Sequence, residues 1–213
     1  MKQTLTLIAL GASLAVTAIQ PVAAQDAAVR TITFNLAPNP SMLACISDGS
    51  GTPPSASVTV TRGKQNDSLS LKVSHIKPGL GFDLFTVQRS NLLSNGTVDP
   101  GFKNFGLAWY QSDLDIGQYG TGTASVRSVL LDQIFGFDPD VALSPTNTFH
   151  VGFWFDNPND AAPCGFNPAT PTPFNGTHNA GPVAMISVPN ATTDLGPLCT
   201  KPNLSTSPAS CRP

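Results

Sequence analysis

The chain has 213 residues, of which only 11% are charged, with a formal net charge of −2, 18 glycines and 20 prolines. Neither sign of charge is clustered, which excludes electrostatic capture of nucleic acid or of an anionic lipid surface as a primary role. Scarce charge with abundant Gly and Pro also disfavours long surface helices laced with ion pairs, and favours short strands separated by turns.

Lys2 precedes an apolar run from Leu5 to Val16, which leads into Gln20-Pro21-Val22-Ala23-Ala24. Basic, apolar and small-residue stretches in that order read as a secretory signal over residues 1–24, cleaved after Ala24. The apolar run falls short of the ~20 residues that cross a bilayer and contains Gly11 and Ser13. No later segment is long and apolar enough to cross one, so the mature chain is expected outside the cell, or in the periplasm where the source has an outer membrane.

Strand patterns then recur in order: Thr31–Leu36, Ala56–Thr61, Leu69–Ile76, Phe82–Gln88, Phe105–Gln111, Thr123–Leu131, Thr148–Phe155 and Val183–Val188. That makes about eight strands by the alternation criterion. Val58 and Val60 alternate with Ser57, Thr59 and Thr61, and Gly63–Asp67 leads into Leu69, Leu71 and Val73, which predicts an antiparallel hairpin. Lys77-Pro78-Gly79 turns the chain toward Phe82–Phe85, so these three strands read as a meander. Asn91–Lys103, with Asn95-Gly96 and Pro100-Gly101, reads as a long loop. Ser128–Phe135 is the best helix candidate, although its β-branched residues weaken it.

From Asn157 to Pro182 the composition shifts to Pro, Asn, Ala, Gly and Thr, a span too long for an ordinary connection. Residues 25–190 thus read as one β-sandwich domain, immunoglobulin-like or jelly-roll, and residues 191–213 as a Pro/Ser/Thr-rich tail. The four cysteines, Cys45, Cys164, Cys199 and Cys211, lie beyond the cleavage point, and an even count in an oxidising compartment implies two disulfides. Their spacing excludes a Cys-x-x-Cys site. Cys199 and Cys211 share the tail, which favours pairing them with each other and Cys45 with Cys164.

The richest stretch is Phe149-His-Val-Gly-Phe-Trp-Phe-Asp156. Period 2 puts Phe149, Val151, Phe153 and Phe155 on one face and His150, Gly152, Trp154 and Asp156 on the other. The first face belongs in a core. The second either lines a site or packs beneath a loop. A Trp beside an Asp suits a sugar, since the ring covers the apolar face of a pyranose and the carboxylate accepts hydroxyl hydrogen bonds. Trp109 and Tyr110, followed by Gln111, Asp113 and Asp115, form a second such group, in which alternation separates Trp109 from Tyr110. The candidate ligand-binding residues are therefore His150, Trp154, Asp156, Trp109 and Asp113. Burial of the aromatic rings in the core is the competing expectation.

Other chemistry has less support. His75, His150 and His178 show no i, i+2 or i, i+4 pairing, and Asp156–Asp160 and Asp113–Gly117 are only fragments of calcium-loop patterns. The former reads better as an Asx turn. No nucleophile elbow, His-Glu-x-x-His or Cys/His protease context occurs, so no catalytic residue, metal or cofactor is assigned. Lys77–Phe85 resembles the Gly-Phe-His-x-His strand of copper-zinc superoxide dismutases. Asp83 and Phe85 stand where its copper-binding histidines would be, so the resemblance is compatible with a sandwich fold and carries over no redox chemistry. Asn66, Asn95, Asn175, Asn190 and Asn203 open Asn-x-Ser/Thr triplets, which composition alone explains.

The expected protein is a secreted, noncatalytic binding or surface-associated module with a glycan or surface component as partner. An extracellular carbohydrate hydrolase using Asp113, Asp115 or Asp156 is the first alternative, and a structural envelope protein the second.

Overall fold

A computed structural model describes residues 30–63, 66–128, 148–170 and 179–199. The strands are β1 Arg30–Pro38, β2 Ser55–Arg62, β3 Asp67–Ser74, β4 Gly81–Val87, β5 Ala108–Asp115, β6 Gly122–Ser128, β7 Thr148–Phe155, β8 Val183–Ile186 and the two-residue β9 Leu198–Cys199. Eight of them form one antiparallel sheet in the order β5-β4-β7-β8-β1-β2-β3-β6, and β9 pairs with the start of β7. The terminal strands β5 and β6 are joined by a tight turn and lie close together, so the sheet is nearly closed. The fold is all-β, as expected. Strand β1 is the joint: residues 30–36 pair with β2, and Ala37 and Pro38 pair with β8.

The two halves of the sheet solve different packing problems. In β2, Ala56, Val58 and Val60 point inward, and in β3 Leu69, Leu71 and Val73 do so. Each such side chain is worth about 1.5–3 kcal/mol when taken out of water. The outward positions of this half hold Ser and Thr, whose hydroxyls pair across strands, Thr31 with Thr61 at 3.2 Å and Thr33 with Thr59 at 3.1 Å. One wet face gives clean alternation. Strands β7 and β8, by contrast, are buried at every position, as is β4 from Phe82 to Val87.

Those strands are covered on their outer face by the chain itself. The inner core takes Phe82, Leu84, Phe149, Val151, Phe153 and Phe155 together with the β2 and β3 side chains. A second, smaller core on the outer face takes Phe85, Val87, Trp154, Val183 and Ile186, with Leu92 and Phe105 from the segment between β4 and β5. The segment is a loop, as its Asn95-Gly96 and Pro100-Gly101 predict, and side-chain oxygens order it: Ser90 Oγ, Asn95 Oδ1 and Asp99 Oδ1 each accept a backbone N–H two residues on.

One expectation about connection holds and two are corrected. The β2–β3 hairpin forms, with Arg62 Nε 3.1 Å from Asp67 Oδ2 across its end. The meander does not continue, because β3 pairs with β6 while β4 crosses to lie between β5 and β7. Apolar Phe82 and Leu84 reach the same core from either position, so hydrophobic pattern alone does not choose between them. Strand β5 starts at Ala108 rather than Phe105, because Phe105 is drawn onto Trp154, ring centroids 5.2 Å apart, and Gly106 turns the chain at a φ of +67°. Ser128 ends β6, and the rest of the helix candidate lies outside the described residues.

Cys45, in the helical turn Leu43–Ile46 that follows β1, bonds to Cys164, which ends the 3-10 segment Pro158–Cys164 after β7. That pairing is the expected one. Cys211, and with it the proposed partner of Cys199, lies outside the described residues. Of the residues grouped above with the tail, Leu198 and Cys199 pair with β7, and Leu198 is buried. Among the described residues no helix is long and apolar enough to cross a membrane.

Candidate functional site

The five candidate ligand-binding residues fall in three places. Trp154 sits on the outer face as alternation requires, but only 1% of it is exposed. Phe85 packs edge-on against it at 4.2 Å and Phe105 covers it, so no ring face is left for a sugar. Gly152 leaves no gap either. A Cβ there would lie 2.9 Å from Ile186 Cγ1, so the glycine marks the close approach of β8. Trp109 is half-buried on the opposite, inner side, edge-on to Phe149 at 5.1 Å.

Asp113 and Asp156 do share the outer face, and a bulge brings them an aromatic partner. Register shifts between Leu84, opposite Ser112, and Phe85, opposite Tyr110, so Gln111 is an extra residue in β5. Strict alternation would put Asp113 with Trp109. The extra residue puts it with Tyr110, whose hydroxyl donates to Asp113 Oδ1 at 2.6 Å. Tyr110 is 47% exposed, and its ring stands roughly perpendicular to Phe85 with centroids 5.9 Å apart.

Other carboxylates complete this face. Asp83 lies opposite both Asp113 and Trp154 in the ladders and is itself buried. Gly81 pairs with Asp115 and receives the N–H of Asp156 at its carbonyl, 3.1 Å away. A Cβ on Gly81 would lie 3.7 Å from Asp115 Oδ1 and 3.9 Å from Asp156 Oδ2. Desolvation of the Tyr110 hydroxyl, its bond to Asp113 and the charges of Asp113, Asp83 and Asp156 push its pKa up to about 12. It is therefore a neutral donor across the physiological range.

The sequence contained the signal for this bulge. Trp109 and Leu114 are both large and apolar and are five residues apart, an odd spacing that an unbroken strand cannot bury on one face. An extra residue between them resolves the conflict, and carries Tyr110 outward.

His150 occupies the third place. It is 2% exposed, and its Nδ1–H donates to the Ser187 carbonyl at 2.9 Å, with Ser187 Oγ at 3.0 Å. A carbonyl accepts only, so the proton sits on Nδ1 and Nε2 carries the lone pair. Burial lowers its pKa to about 4. Between that value and the ordinary 6.5 the unfolded chain binds the proton and the folded one does not, so stability falls as pH drops through this window. Urea unfolding should show a loss on the order of 3 kcal/mol from pH 7 to pH 4 attributable to this residue. A His150→Gln variant with an equally steep acid slope would refute that assignment.

His75 Nδ1 lies 3.4 Å from Asp48 Oδ2, a separate contact, and His178 is outside the described residues. Asn157 Oδ1 accepts the Asn159 N–H at 3.1 Å, the Asx turn foreseen for that stretch. Among the described residues no group of three or more His, Cys, Asp or Glu side chains is placed to hold a metal ion.

The chain matches no protein-family profile, no curated protein and no solved structure, so the functional reading rests on this geometry.

Proposed function

We propose that the protein is an exported, noncatalytic binding module that recognises a glycan on the outer face of β5, β4 and β7. The observation that carries this reading is the half-exposed Tyr110 ring held by its hydroxyl to Asp113, with Asp83, Asp115 and Asp156 on the same face. The ring offers an apolar plate to a pyranose, and the carboxylates beside it accept hydrogen bonds from its hydroxyls. The Tyr110–Asp113 bond holds that ring and carboxylate in place before the ligand arrives, which lowers the cost of ordering on binding. The signal-like residues 1–24 and the Cys45–Cys164 disulfide support export. A hydrolase would need two carboxyls flanking a scissile bond. No observation on this face assigns one carboxyl as the proton donor and another as the base or nucleophile, whereas the exposed ring beside them suits binding.

A glycan array followed by calorimetry on the retained sugar tests the proposal. Tyr110→Ala should weaken binding at least tenfold, the scale of losing a central aromatic contact, and Asp113→Asn less. Retention of no glycan, or an unchanged affinity in Tyr110→Ala, would remove this reading.

A further inference from the structure

A cavity of about 310 Å³ lies away from the Tyr110 face, between the segment after β4 and the segment after β8, with Thr148 and His150 of β7 lining it. That volume is at the small end of the range for ligand sites. Its walls are held by local bonds. Asp99 Oδ1 takes the Gly101 N–H at 2.8 Å, and Asn190 Oδ1 takes the N–H groups of Thr192 and Thr193 at 2.9 and 3.1 Å. Asp194 is held at a φ of +56° by its N–H bond to the Asn190 carbonyl.

The lining brings both signs of charge to the mouth of the cavity, where Arg89 and Asp194 are exposed. Arg89, Asp99 and Asp194 all line it, yet among the described residues none of them forms an ion pair with another. Opposite charges kept apart around one small space suit a ligand that carries both signs. In the same lining, Thr193 Oγ1 is buried without a hydrogen-bond partner, an unfavourable state for a hydroxyl. His150, with its proton fixed on Nδ1 by Ser187, contributes an acceptor at Nε2.

We propose that this cavity binds a free α-amino acid. Arg89 receives the carboxylate, Asp99 and Asp194 receive the ammonium group, and a short side chain with a hydrogen-bond donor points toward His150 Nε2 and Thr193 Oγ1. The site is independent of the glycan face, and neither depends on the other.

Calorimetric titration of the purified full chain with the common L-amino acids tests it, with threonine and its isostere valine as the paired probe. Threonine should bind saturably at one site and valine about fivefold or more weakly, the worth of one hydrogen bond. 1-Amino-2-propanol, which lacks the carboxylate, and 3-hydroxybutyrate, which lacks the ammonium, should each lose at least tenfold, as should Arg89→Ala. Arg89 is exposed, so a thermal melt like that of the wild type will show that this variant is folded. Binding of no amino acid, or equal binding by either single-charge analogue, overturns the proposal. Unchanged affinity in Arg89→Ala overturns it as well, and valine binding as tightly as threonine overturns the role given to His150 and Thr193.

Discussion

Replacing Cys45 and Cys164 together with alanine should lower the stability of the folded chain by about 4–5 kcal/mol. The disulfide joins residues 119 apart in sequence, and the chain-entropy account makes the stabilisation grow with the logarithm of the closed loop. Few single features of a domain this size reach that magnitude, since total stabilities are about 5–15 kcal/mol. The bond also acts where the sheet gives little help, since it ties the helical turn after β1 to the 3-10 segment after β7, two short elements with no ladder of their own. Urea unfolding of the double variant beside the wild type measures it. The double variant should unfold at lower urea and with a steeper denaturant dependence, because its unfolded state is more expanded. A loss below about 1 kcal/mol would mean that the unfolded chain is already restrained in some other way, contrary to the entropic argument.

Trp154→Ala should cost about 3–5 kcal/mol, the range for deleting a buried aromatic side chain. Trp154 is the largest fully buried side chain and the centre of the outer core, with Phe85 and Phe105 both edge-on to it. Its removal leaves Phe105 and Leu92 without the surface that draws their loop onto the sheet. Amide exchange in residues 88–107 should therefore rise more than exchange in β2 and β3, which belong to the inner core. Trp154→Phe, which keeps an aromatic plug, should cost less. A loss of only a few tenths of a kcal/mol in Trp154→Ala would contradict the second core and return the ring to the list of candidate sugar contacts.

These two expectations also mark how far local pattern reaches. In β2 and β3 the alternation of Val and Leu with Ser and Thr identified strand, hairpin and inner face together, because one side of those strands meets water. In β7 the same reasoning separated Phe149, Val151, Phe153 and Phe155 correctly from His150, Gly152, Trp154 and Asp156. It left the use of the second face open between a site and a surface beneath a loop, since a Trp and a His satisfy either. The covering loop settles the matter for Trp154, and the Ser187 carbonyl settles the tautomer of His150. For β5 a strict period of 2 paired Asp113 with the wrong aromatic residue, Trp109 instead of Tyr110, because it took no account of an extra residue at Gln111.

The sequence by itself determined the all-β class, the order and approximate bounds of eight strands, the long loop after β4 and the preference for a Cys45–Cys164 bond. These follow from side-chain period, turn residues and composition, which act over a few neighbours or a single count. Tertiary structure alone decided that β4 leaves β3 for β7, that β8 closes on Gly152, that Phe105 seals Trp154, and that Tyr110 faces Asp113. Each of those depends on which apolar face finds which partner. Interchangeable Phe, Val and Leu side chains do not encode that choice locally, and it is resolved only when the whole core packs.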